Sequence, residues 1–93
     1  MAEPAYKEFE RIPLDDNLNY FYSYDLGCCA ALVSYGHELI SLDKQNSGRT
    51  MFIFIRSRGI GGAVEDYWSD KLQVSARSYF DNLKMLKNRL YSL

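Results

Sequence analysis

The segment RTMFIFIRS, near the middle of the chain, constrains the fold most strongly. Residues 51–55 of this segment are all apolar. A strand with one solvent-exposed face alternates apolar and polar side chains, whereas a strand covered on both faces reads as a continuous apolar run. We therefore expect this segment to be a central strand of a sheet with both faces covered.

The residues before this strand predict a strand, a helix and a second strand. NYFYSYD places three tyrosines, Tyr20, Tyr22 and Tyr24, on one face of a first strand. Asp25 is a typical N-cap for the helix LGCCAALVSY, and Gly36 stands where a helix commonly ends. HELISLD is the expected second strand, and KQNSG is a turn that leads into the central strand.

The residues after the central strand predict two more helices. RGIGG breaks the chain, AVEDYWSD follows as a short helix, and KLQV is a candidate short fourth strand. Ser75 caps a final helix. The predicted fold is α+β, a small β-α-β-β-α-(β)-α sandwich with a central apolar strand and the C-terminal helix packed on the sheet. Residues 18–93 form one domain, preceded by a polar lead-in, residues 1–17, that is either an arm or an edge strand.

Charge is distributed unevenly although the formal net charge is only −1. Residues 1–43 carry mostly acidic side chains, and residues 71–93 carry mostly basic ones. A small net charge argues against a free-standing nucleic-acid binder, which normally has a basic excess. The uneven distribution of charge instead predicts one of two arrangements. The acidic and basic segments either neutralise each other within the fold or present a dipolar surface to a partner.

Two further features predict a cytoplasmic protein. The first 19 residues contain acids and prolines and no apolar run typical of a secretion signal, and no segment approaches the length of a membrane span. Cys28 and Cys29 are adjacent, and a bridge between neighbours is strained, so we expect free thiols in a reducing compartment.

The C-terminal helix has an apolar face and a basic face. The expected core face, at helical spacing, comprises Ala76, Tyr79, Phe80, Leu83, Leu86 and Leu90. Asp81 is positioned to pair with Arg77 and Lys84, so part of the basic charge is balanced locally. The pattern favours a helix that covers the core and leaves a cationic face in solvent, with nucleic-acid contact as the alternative.

Three motifs with catalytic or ligand-binding potential are incomplete. The Gly59-Ile60-Gly61-Gly62 turn lacks the third glycine of a dinucleotide fingerprint and lacks a P-loop lysine. His37 is the single histidine, and we expect one of the two adjacent cysteines to pack in the core, which argues against a catalytic pair of His37 with a thiol. Two thiols and one imidazole do not make a zinc site. We expect no enzyme activity, no metal and no cofactor.

The order of elements also raises the alternative of an RNA-binding sheet. RNA-recognition domains share a strand-helix-strand-strand-helix-strand order and stack bases on sheet aromatics. Phe52 and Phe54 have the required alternation, and the tyrosines of the first strand offer a second set. The typical third-strand signature is not matched, and a last helix docked on the open sheet face would close such a platform.

Three segments resemble a known family. They are YFYSYDLGCCAALVSYGHELISLDK, VEDYW and VSARSYFDNLKMLKNRLYSL. Together they resemble an uncharacterised family of short proteins from Gram-positive bacteria, their phages and mobile elements, described as a domain of unknown function. The resemblance covers roughly residues 18–93. It implies a small α/β domain and supplies no catalytic or binding residue.

The combined prediction is a small, non-enzymatic binding protein of phage or mobile-element type, and we expect its unidentified partner to be a protein. A homodimer is also compatible with the sequence. One alternative is a nucleic-acid accessory protein that uses the basic C-terminal helix. Another is an inhibitor of a host defence protein that acts through the acidic surface. The candidate partner surface comprises five cations, Arg56, Arg58, Lys84, Lys87 and Arg89.

Overall fold

The computed structural model describes residues 16–93, which form three strands and three helices. In chain order they are β1 (Tyr20–Ser23), α1 (Leu26–Tyr35), β2 (Leu39–Lys44), β3 (Thr50–Ile55), α2 (Ile60–Trp68) and α3 (Ala76–Tyr91). The fold is α+β, as expected. The prediction for the lead-in falls almost wholly outside the described residues.

The apolar run is the central strand. The sheet has the order β1-β3-β2, and β3 pairs antiparallel with both neighbours. Residues 51–54 are buried on both faces of the sheet, which confirms the interpretation of the continuous apolar pattern. The pairing of β2 with β3 is irregular between Leu39 and Ser41.

The helices share one face of the sheet. Phe52 and Phe54 belong to the main core together with residues of all three helices. Cross-strand pairing puts Phe21 on this same face, opposite Phe54, with ring centroids 6.3 Å apart. Tyr22 pairs with Ile53 and therefore lies on the other face. Tyr20 and Tyr22 are thus on the face opposite the phenylalanines, whereas Tyr24, predicted on the same strand, lies beyond the end of β1. The fully buried Phe52 and Phe54 offer no surface for base stacking.

Local signals set the ends of α1. The Asp25 carboxylate accepts a hydrogen bond from the Cys28 N–H at 2.7 Å, and Gly36 ends the helix at φ 111°. Residues 28–32 are all buried, so the helix is covered around its whole circumference and not along one stripe. Leu26 and Val33, toward the two ends of the helix, are only half-buried.

Helix α2 begins earlier than expected. It starts at Ile60, so that Gly61 and Gly62 lie in its first turn and only Gly59, at φ 86°, adopts the left-handed turn conformation. Buried Ile60 anchors this start in the core.

The predicted fourth strand is absent from the described chain. The N–H groups of Lys71 and Leu72 donate to the Asp66 carbonyl at 2.7 and 3.0 Å, closing the end of α2 and not joining a strand. The side chain of Leu72 packs partly buried against the core. The apolar residues of this segment therefore cover helices and do not extend the sheet.

Helix α3 packs mainly along α1 and completes the core on the helical side of the sheet. Its fully buried residue is Leu86, while Leu83 is half-buried. Phe80, expected in the core, is 57% exposed, and Met85, not expected there, packs partly buried. The helix is thus rotated about its axis relative to the predicted stripe. Asn82 on the rotated side donates to the Ser34 hydroxyl of α1 at 2.9 Å.

Candidate functional site

The predicted cations after β3 are held at the end of the sheet. The Arg56 N–H donates to the Asn19 carbonyl at 2.9 Å, and its Nε donates to the Tyr20 carbonyl at 3.4 Å. Its guanidinium carbon also lies 5.5 Å from the ring centroid of Phe21. Arg56 therefore supports the β1–β3 pairing. Arg58 follows it in the exposed turn that leads to α2.

The predicted cations of α3 lie along its exposed side. Lys84 Nζ is 5.3 Å from the ring centroid of Phe80, and Lys87 and Arg89 are exposed. The C-terminal end of α3 reaches Thr50 at the start of β3, whereas Arg56 follows the other end of that strand. A six-residue strand is about 20 Å long. Arg56 and Arg89 thus lie toward opposite ends of the sheet.

An open groove of about 350 Å³ lies at the end of the sheet where β3 begins. Its lining comes from the β1–α1 corner, from the β2–β3 hairpin, from β3 and from the end of α3. The lining residues are Tyr24, Leu26, Lys44, Gly48, Thr50, Phe52, Leu90 and Tyr91. We refer to this feature below as the groove.

Each part of the groove is positioned by local structure. Tyr24 lies between the last residue of β1 and the Asp25 cap of α1. The hairpin is closed by hydrogen bonds between the backbones of Gln45 and Arg49 at 2.7 Å and of Gln45 and Gly48 at 2.9 Å, and Gly48 takes φ 89°. A left-handed conformation there favours glycine. The walls of the groove therefore depend on a strand end, a turn and a helix end.

The groove combines a buried floor with exposed aromatic walls. Phe52 at the floor is fully buried, and Leu26 and Leu90 are partly buried against the core. Tyr24 is 39% exposed and Tyr91 is 84% exposed. The two tyrosines thus present large amphipathic surfaces beside an apolar floor.

One cation lines the groove, and a second contacts one of its lining residues. Lys44 lines it from the end of β2, directly across the hairpin from Thr50. Arg49 places its guanidinium carbon 3.7 Å from the ring centroid of Tyr24, which is a stacked cation–π contact. Within residues 16–93 neither cation forms an ion pair, and no acidic side chain lines the groove.

Lys44, Arg49 and Tyr91 were not among the site residues predicted from the sequence. The sequence does indicate that two of them lie close together. Lys44 begins the turn KQNSG and Arg49 follows it, and a hairpin brings the two sides of its turn together. Tyr91 lies at the end of α3, beyond the core stripe. Their combination with Tyr24 depends on the tertiary packing of α3, which no local pattern encodes.

His37 forms a hydrogen bond with Ser57, a contact that was not predicted from the sequence. Its Nδ1 lies 2.8 Å from the Ser57 hydroxyl oxygen, while its Nε2 is enclosed without a hydrogen-bond partner among the described residues. Burial lowers the pKa of His37 from its ordinary value of 6.5, which favours the neutral imidazole. A general base is normally oriented through its second nitrogen. The geometry instead ties the α1–β2 connection to the loop after β3.

The cysteines lie in the core and away from the groove. Both Cys28 and Cys29 are buried free thiols, whereas we expected at least one of them to pack in the core. Burial raises the pKa of Cys28 to about 11 and that of Cys29 to about 12. Protonated, enclosed thiols are poor nucleophiles and poor metal ligands.

Two properties of the described residues concern membranes and metals. None of the three helices combines the length and the hydropathy that crossing a membrane requires. Within residues 16–93, no three His, Cys, Asp or Glu side chains come together as a metal site would need. The groove brings together exposed side chains of different chemistry, and the proposed function is based on it.

Comparison with known proteins identifies one family. Residues 18–92 match the family described as "Domain of unknown function (DUF5659)". No curated protein and no solved structure matches the chain. The match covers nearly the same residues as the resemblance drawn from the sequence segments.

Proposed function

Since the chain belongs to the DUF5659 family, whose function is unknown, we propose its function from the groove: the protein acts by binding a protein partner there, and not by catalysis. The observation that carries the proposal is the pair of exposed tyrosines, Tyr24 and Tyr91, beside Lys44 and Arg49, which form no ion pair with any residue from 16 to 93. Tyrosine and arginine are enriched at the energetic centres of protein interfaces. Leu26 and Leu90, which are only partly buried, supply apolar area beside them that a partner can bury.

A protein partner fits the groove better than a stacked nucleic acid. Base stacking needs a free aromatic face, and the Arg49 guanidinium already covers one face of Tyr24. Arg56 and Arg89 lie toward different ends of the sheet, and the formal net charge is −1. A track of phosphates normally requires a continuous basic surface.

Inhibition through an acidic surface receives less support. Asp16 accepts hydrogen bonds from the N–H groups of Leu18 and Asn19, and Asp25 caps α1. Asp43 accepts a hydrogen bond from Gln45. These carboxylates stabilise turns and a helix end, so they are less available for imitating the phosphates of a nucleic acid.

The proposed setting is the cytoplasm of a Gram-positive bacterium that carries a phage or mobile element. The origin follows from the family resemblance of the three sequence segments. The compartment is supported by Cys28 and Cys29, which are free thiols in the fold. Free thiols are typical of proteins from reducing compartments.

The test is quantitative capture of a partner from host lysate by matched variants. Tyr91→Ala removes an exposed aromatic at the groove, and Phe80→Ala removes an exposed aromatic on α3 that does not line the groove. We expect Tyr91→Ala to weaken capture by about 2 kcal/mol, roughly 30-fold in affinity, as at an interface hot spot. We expect Phe80→Ala to bind normally. Normal capture by Tyr91→Ala, or equal loss by both variants, would contradict the proposal.

A further inference from the structure

We propose that the groove recognises an acidic peptide segment of its partner, with a carboxylate on Arg49 and Lys44 and an apolar side chain on the floor. This inference rests on the proposed function and names the chemistry of the partner. It follows from the orientation of the Arg49 guanidinium, from the positive charge of Lys44 and from the apolar side chains that line the groove.

Arg49 is positioned to accept a carboxylate. Its stacking on Tyr24, at 3.7 Å from the ring centroid, uses the flat face of the guanidinium and leaves the N–H groups along its edge. These N–H groups have no hydrogen-bond acceptor among residues 16–93. A planar fork of donors matches the two oxygens of a carboxylate, and prior stacking reduces the freedom lost on binding.

Lys44 adds a second positive charge without a compensating acid. Asp43 precedes it, but pairs with Met51 and therefore lies on the sheet face opposite Phe52. Asp25 is next to Tyr24 in sequence, yet its carboxylate caps α1. The described side chains thus give the groove a positive potential in a protein whose net charge is negative.

The apolar lining of the groove places a second requirement on the partner segment. The exposed apolar surface of the groove comes from Leu26 and Leu90, which are partly buried, since Phe52 is fully buried. A groove of about 350 Å³ has room for one large side chain and a short stretch of backbone, not for a folded domain. A partner segment with an apolar residue beside Asp or Glu satisfies both the floor and the cations.

A pair of synthetic peptides tests this chemistry directly. The probe is a capped octapeptide of alternating Asp and Leu, and its matched control replaces each Asp by Asn. Binding is measured by fluorescence anisotropy and mapped by amide NMR shifts of the full chain. We expect the acidic peptide to shift Tyr24, Lys44 and Gly48, to bind at least tenfold more tightly than the amide peptide, and to weaken as salt rises.

Matched variants locate the charge that is responsible. Lys44→Gln with Arg49→Gln should reduce binding of the acidic peptide at least tenfold and abolish its preference over the amide peptide. Lys84→Gln with Lys87→Gln removes the same charge from α3, outside the groove, and should leave binding within twofold. Equal binding of both peptides, shifts outside the groove, or equal losses by both double variants would overturn the proposal.

Two other occupants are distinguished by the same measurements. A single-stranded oligothymidylate that shifts the groove residues and binds more tightly than the acidic peptide would replace the proposal by a nucleic-acid ligand. Groove shifts that depend on protein concentration alone, with a dimer mass by light scattering, would replace it by a second copy of the chain.

Failure of this inference is separable from failure of the proposed function. Lysate capture that is lost with Tyr91→Ala but kept by the Lys44 and Arg49 double variant would leave the protein-binding function and overturn the acidic segment. Capture that is unaffected by either change would overturn both.

Discussion

Helices α1 and α3 are both essential to the core, yet they are buried in different ways. Helix α1 has ten residues without a charge, and residues 28–32 are all buried. Helix α3 has sixteen residues, of which Leu86 alone is fully buried, and its outer side carries Lys84, Lys87 and Arg89. One helix is enclosed by its neighbours, and the other covers them from one side.

The difference explains the side-chain sizes in each helix. Residues 27–31 of α1 are small, so the sheet and the other helices approach its backbone closely. Helix α3 instead uses long side chains that reach inward, Tyr79 and Leu86 among them. An enclosed helix is therefore sensitive to added volume, and a covering helix is sensitive to lost volume.

The largest expected effect is loss of volume from α3. Leu86→Ala should lower the free energy of unfolding by about 2–5 kcal/mol, because it leaves a cavity in the main core. Phe80→Ala, on the exposed side, should cost less than about 1 kcal/mol. Urea denaturation of both variants measures the difference. Similar losses would show that α3 is not one-sided.

Added volume in α1 should have the next largest effect. A Cβ on Gly27 would lie 2.6 Å from the Tyr67 hydroxyl oxygen and 3.2 Å from that of Tyr79. We expect Gly27→Ala to destabilise the protein by about 1–3 kcal/mol through overpacking. Gly62→Ala is the control, since its Cβ meets nothing within 4 Å, and should stabilise by about 0.5–1 kcal/mol. Equal signs would contradict the proposed enclosure of α1.

A smaller effect depends on pH at the connection after α1. Burial lowers the pKa of His37 below its ordinary 6.5, so the unfolded chain binds a proton more readily than the folded protein does. The free energy of unfolding should therefore fall as the pH drops below about 6.5. Urea denaturation between pH 5 and pH 8 measures this dependence, and His37→Gln should flatten it. An unchanged profile in that variant would assign the dependence to other groups.

The smallest expected effect concerns the outer side of α3. Replacing exposed Lys84 and Arg89 by Gln should change the free energy of unfolding by less than about 0.5 kcal/mol, because surface charges contribute little. The same double variant tests the nucleic-acid alternative, under which the salt dependence of binding would fall by roughly two units. A large loss of stability would mean that these side chains are engaged in the fold.

The sequence by itself determined the elements that depend on local preferences. Asp25, Gly36 and Ser75 mark helix ends because their side chains or backbone satisfy the unpaired groups there. The continuous apolar run determined the central strand, since only a strand covered on both faces can dispense with polar residues. These signals act within a few residues and need no knowledge of the neighbours.

Only the tertiary structure decided which faces are used and where the groove lies. Helical periodicity predicted Phe80 in the core, but the packing of α3 on α1 rotates the helix and leaves Phe80 exposed. The groove joins Tyr24, Lys44 and Tyr91, which are far apart in the chain, and Arg49 contacts Tyr24. Their proximity follows from strand register and from the position of α3. Both are set by burial of the whole core, which no local segment can achieve alone.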